Sequence, residues 1–206
     1  MAARTLRIVA LGDSVTAGEP GFRSPLESPP DGAGDPESQY GFWMSKAHPD
    51  WVVLNRGVSG ERSDQILKRF ERDVLREAPD YVIILAGVND IYQGLPASFV
   101  QENLDAMYDR AADSGVRVVA ATILPYNSAS AGESGAIRKV NRWIEGTARH
   151  RGLAFCDVHR AVADPASYDR LASTIDGDHP DVAGYRAMGA ALASAIDAHA
   201  RAEGPG

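Results

Sequence analysis

Two runs of four apolar residues without a polar break, Val82-Ile83-Ile84-Leu85 and Val118-Val119-Ala120-Ala121, constrain this chain more than any other feature. A strand with one wet face alternates apolar and polar residues. A strand that is apolar at every position is covered on both faces, as in a parallel sheet sandwiched by helices. The two runs extend to Tyr81–Ala86 and Arg117–Leu124, and three more β-rich segments, Arg7–Leu11, Trp51–Asn55 and Leu153–Val158, bring the strand count to five. Between them, apolar residues recur at helical spacing. Ile66, Leu67, Phe70, Val74 and Leu75 share one face of a helix that Ser63 or Asp64 can cap and Pro79 stops. Leu104, Met107, Tyr108 and Ala111 mark a second helix ending near Gly115, and Ile137, Val140 and Ile144 a third. Tyr185, Met188, Leu192 and Ile196 mark a last helix that frays into Gly204-Pro205-Gly206. Strands alternating with helices over 206 residues predict one α/β domain, residues 1–206, with a doubly wound parallel sheet. No internal repeat or interdomain linker interrupts it.

Charge and cysteine use narrow the function classes. A net charge of −7 with no Lys/Arg cluster speaks against a nucleic-acid surface. One cysteine, Cys156, rules out an internal disulfide framework and suits a reducing compartment. The first apolar run, Ile8 to Leu11, is too short for a signal segment or a membrane span, so the expectation is a cytoplasmic protein that does not insert into membranes. Glu19 to Glu37 holds five prolines and several glycines. It is too proline-rich for a helix and reads as a loop over the site, a rim or lid.

In a doubly wound sheet, sites form at the carboxyl ends of the strands, and four polar motifs fall where that rule looks. Gly12-Asp13-Ser14 follows the first strand; read alone, it is a plain helix cap. Asn55-Arg56-Gly57-Val58-Ser59-Gly60 follows the second, and its two glycines make a tight turn or let backbone N–H groups approach a ligand. Gly87-Val88-Asn89-Asp90 follows the third; Asn89 can start an Asx-turn or donate to an oxyanion. Asp176-Gly177-Asp178-His179-Pro180 lies near the C-terminus. Histidine is the natural general base at neutral pH, and a carboxylate three residues earlier can fold back onto Nδ1–H and leave Nε2 facing a nucleophile. Asp178 points elsewhere in that reading. The plainer readings are an exposed surface histidine or, since Asp176, Asp178, His179 and Asp181 are close, a divalent-ion site; no metal-ligand spacing supports the latter.

Taken together and in this order, the motifs resemble the SGNH hydrolase family, also called the GDSL esterases, whose Ser, Gly, Asn and His match Ser14, Gly57, Asn89 and His179. The resemblance runs from Arg7 to about Leu192 and includes the Gly184-Tyr185 pair; Val15 stands where Leu or Ile is usual. It implies a three-layer flavodoxin-like sandwich with a five-stranded parallel sheet. It also implies ester hydrolysis with Ser14 as nucleophile, His179 as base and Asp176 as the orienting acid. The oxyanion hole would come from the Ser14 and Gly57 backbone N–H groups and the Asn89 amide. No cofactor or metal is called for, and the partner is a small-molecule ester. The classical α/β-hydrolase elbow, Gly-x-Ser-x-Gly, does not fit, because Val15-Thr16 follows Ser14. A flavodoxin-like nucleotide or flavin binder lacks its motif, since the first loop has neither Gly-x-Gly-x-x-Gly nor the Walker lysine. A non-catalytic binding protein would show a broken motif set.

The remaining singular residues read plainly. Cys156 is core, His159 is placed at the surface, and His48, His150 and His199 have no functional partner nearby in sequence. Trp43, Trp51 and Trp143 pack, with an acyl-pocket wall as the alternative for Trp43. The expected substrate is a short-acyl, acetyl-like ester of a polar alcohol, because no long apolar loop marks a lipid groove and Arg56, Glu61, Arg62 and Tyr126 are placed on the rim. Lysophospholipid or thioester hydrolysis is the alternative.

Overall fold

The five strands form one wholly parallel sheet in the computed structural model, which describes residues 5–204. Residues 1–4, and Pro205 and Gly206 of the C-terminal tail, lie outside the described residues. The strands are β1 (Leu6–Gly12), β2 (Trp51–Gly57), β3 (Tyr81–Leu85), β4 (Arg117–Ala121) and β5 (Ala154–Cys156), in spatial order β2-β1-β3-β4-β5. Gly12 pairs with Gly57 on one side and Leu85 on the other, so the carboxyl ends of the three strands are level. The strand order reverses beside β1, which makes that level edge the topological switch point where ligands bind in such sheets.

Side chains alternate between two cores. Val9, Leu11, Val82, Ile84, Val118 and Ala120 face one layer, and Ile8, Ala10, Tyr81, Ile83, Val119 and Ala121 face the other. The first layer holds α3 (Ser63–Lys68), α4 (Phe70–Asp73), α5 (Val88–Tyr92), α6 (Ala97–Asp113) and α7 (Ala131–Arg151). The second holds α2 (Tyr40–Ala47), α8 (Val158–Val162) and α9 (Val182–Glu203). A one-turn α1 (Ser14–Ala17) follows β1. The long helices have orthodox ends: Ser130 and Glu133 form a capping box on α7, Gly152 closes it in the left-handed conformation, and Asp181 caps α9.

Departures from the sequence expectation have local causes. The helix expected to run from Ser63 to Pro79 is broken into α3, α4 and a 3₁₀ turn at Leu75–Glu77. The first break falls at Arg69, whose guanidinium turns inward to the carbonyls of Gly12 and Arg56, both at 2.8 Å. Ser63 is not the cap; it is the first helical residue, and its hydroxyl goes to Asp90. β4 stops at Ala121 rather than Leu124, because the Asn141 amide takes both backbone groups of Ile123. β5 stops at Cys156, because Asp157 caps α8. The short α2 and α8, and two hairpins at Phe22–Arg23/Ala33–Gly34 and Ala163–Asp164/Ser167–Leu171, were not expected from periodicity.

Arg69 is the buried cation of this arrangement. Besides the two carbonyls, it donates to Glu61 at 2.6 Å and Asp73 at 2.9 Å. Removing it takes a donor from two carboxylates and two carbonyls, of which Asp73 keeps Arg72 and the Gly12 carbonyl keeps the Val58 N–H; the loss is about 3 kcal/mol, the lower end of the usual cost of breaking a buried pair. Arg69→Ala should therefore lower the urea midpoint steeply. A midpoint within error of the parent would show that these oxygens find other donors.

Candidate active site

Ser14 stands at the first position of α1, directly beyond the sheet edge. Asp13 caps the turn, accepting the Val15 N–H at 3.1 Å, and Gly18, at φ 113°, ends it. The Ser14 side chain is thus presented on a short turn capped at both ends, with the residue 8 % exposed.

His179 reaches Ser14 from a turn that Asp176 organises. Asp176 Oδ1 accepts the backbone N–H groups of Asp178 and His179, each at 2.9 Å, and Gly177 takes the positive φ of 90° that the turn requires. Thr174 Oγ1 donates to the His179 carbonyl at 2.6 Å and accepts the Gly177 N–H at 2.9 Å. With backbone and side chain held, His179 Nδ1 lies 2.7 Å from Asp176 Oδ2, and Nε2 lies 2.9 Å from Ser14 Oγ. A carboxylate only accepts, so Nδ1 carries the proton and Nε2 offers its lone pair to the serine hydroxyl. Burial works against the Asp176 charge, but the ring and the two N–H donors outweigh it and bring the carboxyl down to about 2. Asp178 does turn elsewhere, accepting from Ser128 at 3.2 Å, and Asp181 accepts from Ser173 and the Gly184 N–H. The carboxylates proposed as ion ligands thus face three different partners, and no group of three His, Cys, Asp or Glu is placed to hold a metal among the described residues.

The four sequence motifs converge, with one substitution of residue. Ser14, Asn89 and His179 line a common cleft of about 270 Å³, as do Glu19, Ser59, Gly60, Tyr92 and Tyr126. Asn89 is the second residue of α5, and its amide donates to the Glu61 carbonyl at 2.9 Å. Gly57 does not fit its expected role. Its N–H is taken by Asn55 Oδ1 at 2.9 Å, and a Cβ at this position would sit 2.1 Å from the Ala17 backbone nitrogen. Gly57 is the glycine of close packing between β2 and α1, and it is Gly60, at φ 73°, that lines the cleft. The Asn-x-Gly spacing carried the signal, because an asparagine commonly binds the N–H two residues on.

Several other residues are placed differently from expectation. His159 is not at the surface: it is 0 % exposed and bridges the Ile123 and Tyr168 carbonyls, each 2.9 Å from a ring nitrogen. Of the expected rim, only Tyr126 lines the cleft; Arg56 pairs with Glu77, Glu61 with Arg69, and Arg62 with Asp64. Of the proline-rich stretch, only Glu19 lines it. The stretch is tied down beside the site, with Ser24 donating to the Gly57 carbonyl and Glu27 accepting the Ser59 N–H. Trp43 is away from the cleft, its indole N–H on the Glu37 carbonyl; Trp51 stacks on His48 and Trp143 on Tyr108. Cys156 is core, and burial pushes its thiol up to about 12. Among the described residues no helix is long and apolar enough to cross a membrane.

The model of the GDSL-like Lipase/Acylhydrolase family matches residues 10–187, the span that holds all of this geometry. The chain belongs to that family. Its relatives include an arylesterase from Vibrio mimicus, 32 % identical over 114 residues, 55 % of this chain and 52 % of that one. An acetylxylan esterase from Geobacillus stearothermophilus is 36 % identical over 50 residues, 24 % of this chain and 23 % of that one. The match to the arylesterase thus spans about half of that relative's length. Among solved structures, a lipase/acylhydrolase from Enterococcus faecalis superposes with a TM-score of 0.73 at 25 % identity, covering 94 % of this chain and 96 % of that one. A GDSL-like lipase from Bacteroides thetaiotaomicron gives 0.72 at 24 %, covering 93 % and 88 %. The three layers around a five-stranded parallel sheet are the fold these GDSL-family structures share with this chain.

Asp13, beside Ser14, yields a test of the site's electrostatics. It is 1 % exposed, and burial, only partly offset by the Val15 N–H and by nearby His179 and Arg69, raises its carboxyl from 3.8 to about 7. The folded state therefore holds this proton more tightly than the unfolded chain. Its stabilising contribution is complete below pH 3.8 and is lost as pH rises through about 7, an integrated change on the order of 4 kcal/mol. Asp13→Asn keeps an acceptor for Val15 and removes the titration. Its stability relative to the parent should rise between pH 4 and pH 8 in chemical denaturation; a difference that does not change with pH would show that Asp13 stays charged throughout.

Proposed function

We propose that this chain is a serine ester hydrolase that works through an acyl-enzyme on Ser14, with short-acyl esters of a polar alcohol as substrates. The observation that carries the reading is the relay Ser14 Oγ to His179 Nε2 at 2.9 Å and His179 Nδ1 to Asp176 Oδ2 at 2.7 Å. In this reading Ser14 Oγ attacks the ester carbonyl carbon as its proton passes to Nε2. The oxyanion is met by the Ser14 N–H, which a first helical position leaves without an intrahelical acceptor, by the Gly60 N–H, and by the second N–H of the Asn89 amide. The C–O bond to the alcohol breaks, and His179 returns the proton to the departing oxygen. Water then attacks the acyl group, its proton passing to His179 and on to Ser14, and the acid leaves. Asp176, ionised at neutral pH, holds the tautomer and balances the imidazolium. A cleft of about 270 Å³ supports the short-acyl reading, being small for a ligand site. The arylesterase and acetylxylan esterase relatives are in keeping with it.

Ser14→Ala should reduce p-nitrophenyl acetate hydrolysis to background and abolish labelling by a fluorophosphonate. Asn89→Ala should lower kcat by about 10²–10³, the loss typical of one missing oxyanion donor. Wild-type turnover by the Ser14 variant would remove the serine from the chemistry.

A further inference from the structure

We propose, on the basis of the ester-hydrolase reading, that the cleft selects its substrate by charge: it accepts esters whose alcohol portion is neutral or cationic and rejects those whose alcohol portion is anionic. Two carboxylates line the cleft in addition to the relay, Glu19 and Asp178. Each is held in place by a hydroxyl, Glu19 by Ser59 and Asp178 by Ser128. No lysine or arginine is among the residues that line it. The three arginines in and just after the second strand are committed elsewhere: Arg56 to Glu77, Arg62 to Asp64, and Arg69 to Glu61 and Asp73. An anionic substituent entering here meets two like charges and no partner, and the chain as a whole carries −7.

The mouth also presents a ring that suits the opposite class. Tyr92 is 64 % exposed, packed edge-on against Tyr126 with centroids 5.9 Å apart and planes at 70°. An exposed aromatic edge or face beside two carboxylates is a surface on which a neutral ring or a quaternary ammonium group can rest. Acyl-CoA thioesters carry several phosphates on the leaving portion and no cation beside them, so the same lining that favours a neutral or cationic leaving portion sets them aside.

The test uses three phenyl acetates that differ only in the para substituent: trimethylammoniomethyl, hydroxymethyl and sulfonatomethyl. The methylene insulates the phenol from the charge, and each rate is normalised to hydroxide-catalysed hydrolysis of the same ester. At about 10 mM ionic strength, where the Debye length is about 30 Å, kcat/KM should fall in the order cationic, neutral, anionic, with about tenfold or more between the extremes. The spread should shrink at about 1 M salt, where that length is about 3 Å. In the double variant Glu19→Gln, Asp178→Asn the ratio should move towards one, and because a ratio is read within one protein, a general loss of activity does not mask it. Equal kcat/KM for all three esters, or preference for the sulfonate, with Ser14-dependent hydrolysis intact, overturns the charge selection and leaves the esterase reading standing. Failure to hydrolyse any of the three overturns both.

Discussion

The missing side chain of Gly12 is the constraint on which the site depends. A Cβ there would lie 2.2 Å from Thr16 Oγ1 and 2.4 Å from the Leu85 carbonyl, so β1, α1 and β3 meet at a distance only glycine permits. The Gly12 carbonyl is occupied as well, by Arg69 at 2.8 Å and the Val58 N–H at 3.1 Å. The place where the chain leaves the sheet is therefore pinned by three elements, and Ser14, two residues on, inherits that precision. Gly57 repeats the device on β2 against Ala17. Close packing of backbone, with no side chain between, is what makes a one-turn helix a rigid platform for Ser14.

The other half of the relay comes from 165 residues further along the chain, and it is brought to Ser14 by packing. α9 lies on the sheet through Tyr185, Met188, Leu192 and Ile196, and the hydroxyl of Tyr185 donates to the Glu19 carbonyl just past α1. The His179 turn is thus suspended between the start of α9 and the loop after α1. Two carboxylates then flank the Ser14–His179 pair in opposite states. Asp13 sits in a dry pocket and is raised to about 7; Asp176 accepts three N–H donors and falls to about 2. The same functional group is tuned about five pK units apart within one site by burial in one case and hydrogen bonding in the other.

Much of this was legible in the sequence, and the parts that were not share a cause. The unbroken apolar runs of β3 and β4 required a sheet covered on both faces, and the strand-end rule then led to Ser14, Asn89 and the Asp176–His179 turn. Local spacing sufficed for the Asp176–His179 pair, three residues apart; Ser14 and Asn89, a plain cap and a turn when read alone, stand out only through the order of the four motifs and the family resemblance they carry. Local spacing failed where a residue's partner is distant. Arg69 looked like the polar face of a helix, because the carbonyls it bonds belong to β1 and β2. His159 looked exposed, because the hairpin at Ser167–Leu171 that covers it is short and irregular in pattern. Gly57 and Gly60 look alike in the motif, and what separates them is the packing of Gly57 on Ala17 and the bond from its N–H to Asn55, a partner only two residues away that the Asn-x-Gly spacing marks.

The same contrast separates chemistry from specificity. The relay is built from a turn and a cap that their own backbone holds, so it depends little on the rest of the surface. The cleft walls come from the ends of four separate segments: Glu19 after α1, Ser59 and Gly60 after β2, Tyr92 at the end of α5, and Tyr126 beyond β4. Apart from Gly60, whose N–H meets the oxyanion in the proposed reading, none of these residues belongs to the Ser14–His179–Asp176 contacts. In a fold arranged this way substrate choice has to be read from the charge and exposure of the rim itself, which is where the proposed selection places Glu19, Asp178 and Tyr92.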